Sequence, residues 1–205
     1  MAVPSQPAPR AWAISAIGAA IGALLLWSAP REMVDWQPQL AMTQPWRLWT
    51  AAFVHWSPLH LQANLLGCAA VAAFGVAAQV PRHATWAWLV AWPLTHATLA
   101  LQPLLLHYGG LSGALHAGVA VAALHLARRA RGRGRRIGWA VLAGLAAKLL
   151  LESPWRGPTQ VMAGWDFPVA PLAHLTGAAS GLLCGVIAQV IASRPASKLR
   201  PPDDD

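Results

Sequence analysis

The sequence is poor in charge. Asp, Glu, Lys and Arg make up 11% of its 205 residues, against about 25% in an ordinary soluble domain. Hydrophobic residues make up 56%, and the mean hydropathy is +0.43. That deficit excludes an ordinary water-soluble globule and points to an integral membrane protein, with a length suited to one domain. Cysteine is scarcer still. Only Cys68 and Cys184 are present; both lie in apolar segments without metal-ligand spacing, which leaves them as core thiols. No appended soluble domain and no long repeat is visible. The stretch 11–29 is longer than the apolar region of a signal peptide and lacks a convincing small-residue cleavage site, so it reads as a spanning helix. The formal charge of +8 is no nucleic-acid footprint, because the basic residues cluster between apolar segments.

What is present is a series of apolar runs. A span needs about 20 mostly apolar residues, and six segments qualify: 11–29, 58–79, 85–106, 111–127, 137–151 and 169–193. Pro93, His96 and Pro103 weaken the third, and the fifth is short and holds Lys148. The expected organisation is a disordered tail over 1–10, an all-α six-helix membrane domain over 11–193 and a polar tail over 194–205. Basic residues set the orientation. With the N-terminus inside, the inner face holds Arg10, Arg82, the arginines of 128–136, Arg194, Lys198 and Arg200, and the outer face only Arg31, Arg47 and Arg156. Both termini are therefore expected to be cytoplasmic. Trp12, Trp27, Trp86, Trp88, Trp139, Trp155 and Trp165 lie near proposed span ends and read as interfacial anchors. The first outer loop, 30–57, holds Trp36, Trp46, Trp49 and Trp56 and reads as partly embedded in the interface.

Several polar residues fall at one depth. Ser112 precedes Arg128, at the inner end of the fourth span, by sixteen residues, or about 24 Å of helix. It therefore lies below the outer surface of a hydrocarbon core about 30 Å thick. His174 follows Pro168 by six residues, which puts it about 9 Å into the sixth helix. Ser57-Pro58 reads as an N-cap followed by Pro at the first helical position. That sets His60 in the first turn of the second span, with Asn64 one turn deeper on the same face. A hydroxyl and an imidazole are costly to bury without partners, and together they are what nucleophilic chemistry within a membrane needs. Ala173, Gly177, Gly181 and Gly185 form a small-residue stripe on the sixth helix, and Gly110, Ala114, Gly118 and Ala122 form another on the fourth. If the stripes meet, Ser112 and His174 come within hydrogen-bonding range. Otherwise the stripes are ordinary packing and the two side chains face unrelated neighbours.

These residues carry a family resemblance over roughly 46–185. Trp46-Arg47, His60-Leu61-Gln62-Ala63-Asn64, Gly110-Leu111-Ser112-Gly113-Ala114-Leu115-His116 and Ala173-His174-Leu175-Thr176-Gly177-Ala178-Ala179-Ser180-Gly181 resemble four motifs of the rhomboid intramembrane serine proteases. The Leu115-His116 pair is most similar to the rhombosortase branch. Ala117 departs from relatives that carry Gly at that position. The resemblance implies a Ser–His dyad with Ser112 as nucleophile and His174 as general base, and an oxyanion hole from the Ser112 backbone N–H, His60 and Asn64. It implies no cofactor and no metal. Its implied partners are the bilayer and membrane-anchored substrates with a C-terminal tag of Gly-Gly, an apolar helix and a basic end. The implied setting is a bacterial inner membrane, with the site opening toward the periplasm.

No Asp or Glu is expected near His174 within the membrane, since Asp166 falls in the outer loop. Lys148 and Glu152, one turn apart, read as an ion pair, with substrate recognition as an alternative role. His116 sits one turn from Ser112 but at an awkward angle for a base. His55, His60, His96 and His174 raise a haem or metal site, but no His-Glu-x-x-His spacing supports one. The rival function is a non-catalytic relative that binds and escorts membrane segments, against which the presence of both Ser112 and His174 argues. A transporter would need inverted repeats and broken helices, which are not seen.

Overall fold

The computed structural model describes residues 9–102 and 104–194. Pro103, Lys198 and Arg200 lie outside the described residues, as does nearly all of both expected tails. The described residues form eight α-helices: α1 (Arg10–Leu25), α2 (Arg31–Val34), α3 (Arg47–Thr50), α4 (Pro58–Ala77), α5 (Arg82–Ala97), α6 (Ser112–Arg129), α7 (Gly132–Glu152) and α8 (Pro171–Ser193). The only β pairing described is two isolated bridges, Trp36 with Tyr108 and Gln160 with Val169.

The six long helices fall on the six expected apolar segments. Length and composition alone qualify three of them to cross a bilayer: α4, α7 continued through Arg156, and α8. The other three are marked down for physical reasons. α1 is apolar but only 16 residues long, and α5 carries Pro93 and His96. α6 sits at the centre of the bundle, and only Arg128 and Arg129 of its residues are exposed. Protein rather than lipid surrounds it, so its side chains are small and its histidines tolerated.

α6 and α8 approach backbone to backbone. A Cβ at Gly177 would overlap the Gly113 carbonyl, and one at Gly181 would overlap the Ala117 carbonyl. Small residues on facing helices permit this closeness. The expected stripe on α8 is therefore used, but the expected stripe on α6 is corrected. α8 rests on Gly113, Ala117 and Val121, while Gly118 faces Trp88 of α5 and Val71 of α4. Gly110, Ala114, Gly118 and Ala122 do not form the contact face, because large side chains from α4 and α5 already fill that side.

Two tryptophans expected as interfacial anchors are core residues instead. Trp12 and Trp88 are fully buried and pack on each other with ring centroids 4.5 Å apart. Their indole N–H groups donate to the Val71 and Ala114 carbonyls at 2.8 and 2.7 Å. A buried indole needs such a partner, so these two rings tie α1 to α4 and α5 to α6. Trp86, Trp139, Trp155 and Trp165 remain exposed. Cys68 and Cys184 are free, buried and part of the main apolar cluster.

Loop 30–57 is organised around Arg47. Its guanidinium donates to Gln44 Oε1 (2.6 Å), to the Asp35 carbonyl (2.6 Å) and carboxylate (2.9 Å), and to the Glu32 carbonyl (2.8 Å). The planar fork of donors suits this work in a way a lysine would not. Asp35 also accepts from His107 Nδ1 at 2.6 Å, so one buried carboxylate joins the first loop to the segment leading into α6. Trp46, the other half of the motif, is half exposed.

The glycine contacts make a prediction. Gly177→Leu should separate α6 from α8 and destabilise the protein by about 1–3 kcal/mol or more. Gly18→Ala in α1, where a Cβ meets nothing within 4 Å, should be neutral or stabilising by about 0.5–1 kcal/mol. Thermal unfolding in detergent checks the pair, and equal effects would contradict the packing described.

Candidate functional site

The site begins at the break before α6. Gly110 has φ +129°, and a Cβ on it would lie 2.7 Å from His60 Nε2 and 3.7 Å from Asn64 Nδ2. Glycine is required there twice, for the backbone conformation and for the space. Tyr108 Oη donates to the Gly110 carbonyl at 3.1 Å, and the Gly110 N–H donates to the Ala51 carbonyl at 2.9 Å. The turn is thus fixed, and Ser112 emerges as the first residue of α6. The first-turn N–H groups of a helix have no intrahelical acceptor and carry partial positive charge, so the hydroxyl stands beside unspent donors.

α8 brings His174 to the same place. Ser112 Oγ lies 3.0 Å from His174 Nε2. The unexpected partner is Glu152, the last residue of α7, whose Oε2 lies 2.8 Å from His174 Nδ1. The expectation that no acidic residue stands near His174 is thereby overturned. By sequence alone Glu152 falls to Lys148 or to substrate recognition, whereas the end of α7 and the start of α8 meet at the same edge of the bundle. Lys148 does pair with Glu152, through the other carboxylate oxygen. A carboxylate only accepts hydrogen bonds, so the His174 proton sits on Nδ1 and the bare Nε2 accepts from the Ser112 hydroxyl.

His60 and Asn64 complete the pocket from α4. Ser57 caps this helix as expected, accepting from the His60 N–H at 3.1 Å. Its hydroxyl in turn donates to Asp166 at 2.7 Å, tying the loop before α8 to the start of α4. His60 Nδ1 accepts from the Trp56 N–H at 3.3 Å, which leaves Nε2 as the protonated nitrogen, aimed toward Gly110. Phe167 stacks on the ring at 4.1 Å and Trp165 meets Phe167 edge-on. Asn64 Nδ2 is buried with no hydrogen-bond partner. Such an orphan costs about 1–3 kcal/mol, and it stands ready for an acceptor that arrives in the pocket.

The surrounding cavity has a volume of about 690 Å³. From Ser112 and His174 it runs between α4 and α7, past Gly67, Val71, Val141 and Leu145, so most of its wall is apolar.

The remaining histidines do other work. His116 Nδ1 donates to the Ser112 carbonyl at 2.6 Å, and its ring lies parallel to that of His174 at 4.3 Å and 11°. It supports the other imidazole from the side. His55 stands edge-on to His60 at 4.8 Å; burial lowers its pKa to about 4 despite a hydrogen bond to the Phe53 carbonyl. His96 is spent on the Leu48 carbonyl at 2.6 Å and anchors α3 to α5. Donor atoms of His116, Glu152 and His174 lie within 4.8 Å of one another, close enough for a metal ion. The His116 and His174 rings are stacked, however, so their in-plane lone pairs lie in separate, nearly parallel planes, and both His174 nitrogens are engaged. The arrangement suits hydrogen bonding better than ligation.

The contact of Glu152 with His174, the pairing of Ser57 with Asp166, and the Phe167 cover were not anticipated from the sequence. A signal existed for the first: a carboxylate at the end of an apolar segment, at the depth of His174, is rare enough to be weighed with it. The other two depend on how the loop before α8 folds back, which leaves no periodic trace.

No curated protein matches the chain in sequence. A family model described as the Rhomboid domain matches residues 42–190, a segment that holds Arg47, His60, Asn64, Ser112, Glu152 and His174. Rhomboid proteins are generally intramembrane serine proteases that act on membrane-protein substrates, although some are inactive. A match across most of the chain, whose described residues form helices and no strand, means that this chain belongs to the rhomboid family of integral membrane proteins.

Proposed function

We propose that the chain is an intramembrane serine protease that cuts single-pass membrane segments near the outer face of the bilayer. The observation that carries this reading is the 3.0 Å contact between Ser112 Oγ and His174 Nε2, beside a buried asparagine donor that lacks an acceptor. In the proposed reaction Ser112 Oγ attacks the scissile carbonyl carbon and its proton passes to His174 Nε2. The resulting oxyanion takes hydrogen bonds from Asn64, His60 Nε2 and the Ser112 N–H. His174 then returns the proton to the leaving amine, and water repeats the sequence to free the acyl group.

The apolar cavity between α4 and α7 suits an apolar chain, not a soluble loop. A helix hides its carbonyls in its own hydrogen bonds, so the cut segment must unwind. Each Gly in a helix interior costs about 1 kcal/mol, which is why a Gly-Gly tag followed by an apolar helix and a basic end is the substrate we favour. The Leu115-His116 pair supports the rhombosortase branch. The positions of the basic residues support six spans, cytoplasmic termini and a site facing the periplasm of a bacterial inner membrane. Pro9, Gln79, Pro81, His83, Arg129 and Ala192 line a common pocket, so the basic turns of the bundle share one end, as that orientation requires.

Coexpression with a Gly-Gly-tagged membrane protein tests the reading. Ser112→Ala and His174→Ala should each abolish cleavage, to the same residual rate, because they act as one unit. Substrate bound but uncut by the parent protein would mark it as a non-catalytic escort. Asn64→Ala and His60→Ala should slow turnover, each by up to about 10²–10³-fold, with substrate affinity little changed. A loss of affinity at unchanged turnover would refute the oxyanion role. Replacing the two glycines of the tag with Leu should suppress processing; undiminished processing would leave a protease but remove the tag preference.

A further inference from the structure

Resting on the protease reading, we propose that Glu152 is a third member of the site: a positioning residue that fixes His174 with Nδ1 protonated and Nε2 bare toward Ser112. The chain would then work through Ser112, His174 and Glu152 together, not through two residues alone.

Three observations carry this. The first is the contact itself, 2.8 Å from Glu152 Oε2 to His174 Nδ1, with both side chains largely withdrawn from solvent. The second is that the carboxylate is held from behind. Lys148, one turn earlier on α7, binds the other oxygen, so the carboxylate cannot swing away from the imidazole freely. The imidazole is fixed from its face by the stacked His116 ring, which is locked in turn to the Ser112 carbonyl. Every ring position and every tautomer around Ser112 is thus set by an identified partner.

The third observation is that Glu152 breaks a local rule. It ends α7 at the negative pole of the helix dipole, where a carboxylate is disfavoured, at the end of an apolar segment. The next residue, Ser153, closes the helix in a left-handed conformation with φ +51°, unusual for a residue other than glycine. Local conflicts of this kind cluster at functional positions. The nearby carboxylate of Asp166 is already committed to Ser57, so no other acid described near the site does this work. His174 has His116 from α6, His60 from α4, and Glu152 with Lys148 from α7 as its titratable neighbours. Glu152 alone of these is an anion.

Its role follows from the proton inventory. When Ser112 attacks, its proton moves to Nε2 and His174 becomes an imidazolium. Glu152 stays a carboxylate, takes no proton, and stabilises the positive ring through the Nδ1–H. Without it the ring can adopt the other tautomer, with Nε2 protonated and unable to accept from Ser112.

The test uses the full chain in detergent and a fluorophosphonate probe, which reports nucleophile activation without any substrate. Glu152→Gln should lower the maximal labelling rate by about 10²–10⁴-fold with little change in the half-saturating probe concentration. Glu152→Asp, which keeps the charge, should recover at least about a tenth of the parental rate, a rescue that loss of fold would not allow. In ¹⁵N spectra of histidine-labelled protein, His174 should be protonated at Nδ1 in the parent and lose that preference in Glu152→Gln. The double variant Glu152→Gln/Lys148→Met, which removes the stranded ammonium, should be as slow as Glu152→Gln. Recovery of the parental rate in the double variant would overturn the proposal, because the loss would then have come from an unpaired lysine. Parental labelling and an unchanged tautomer in Glu152→Gln would overturn it as well. Labelling that persists in Ser112→Ala is a different failure, since it removes the protease reading itself.

Discussion

The direct contact between the backbones of α6 and α8 is the constraint on which the rest depends. Gly177 against the Gly113 carbonyl and Gly181 against the Ala117 carbonyl bring the two helices closer than any larger side chain would allow. Ser112 begins one of these helices and His174 lies one turn before Gly177 on the other. Their 3.0 Å separation is therefore a consequence of helix packing and not of a flexible loop. Sites carried on rigid elements hold their geometry best. Here the two glycines act at a distance from the chemistry by fixing where it can occur.

Around that contact the protein manages a concentration of polar groups in an apolar bundle. Most are satisfied by one another: Ser57 serves both the His60 N–H and Asp166, and Tyr108 holds the Gly110 carbonyl. His174 is engaged at both nitrogens. Asn64 Nδ2, beside Ser112, is buried and unpaired. An unsatisfied buried donor is costly to stability and useful only if an acceptor arrives during function.

Much of this was legible in the sequence, and the reason is locality. Helix existence follows from apolar runs, and Ser57, His60 and Asn64 share a face by spacing along one helix. The common depth of Ser112 and His174 follows from counting residues. What was not legible depends on rotation about helix axes. The face of α6 that meets α8 is one residue away from the expected stripe, because Trp88 and Val71 already occupy the side of Gly118. Trp12 and Trp88 read as interfacial by position, yet turn inward to donate to carbonyls on other helices. Glu152 was paired with Lys148 correctly, but its second oxygen faces a helix that spacing along α7 cannot reveal.

The most direct measurement is peptide mapping of the fluorophosphonate adduct on the parent protein, with His174→Ala beside it. The account predicts a single adduct on Ser112 in the parent and almost none in His174→Ala. An adduct on another hydroxyl, or equal labelling of Ser112 in both proteins, would contradict the claim that the meeting of α6 and α8 creates an activated serine.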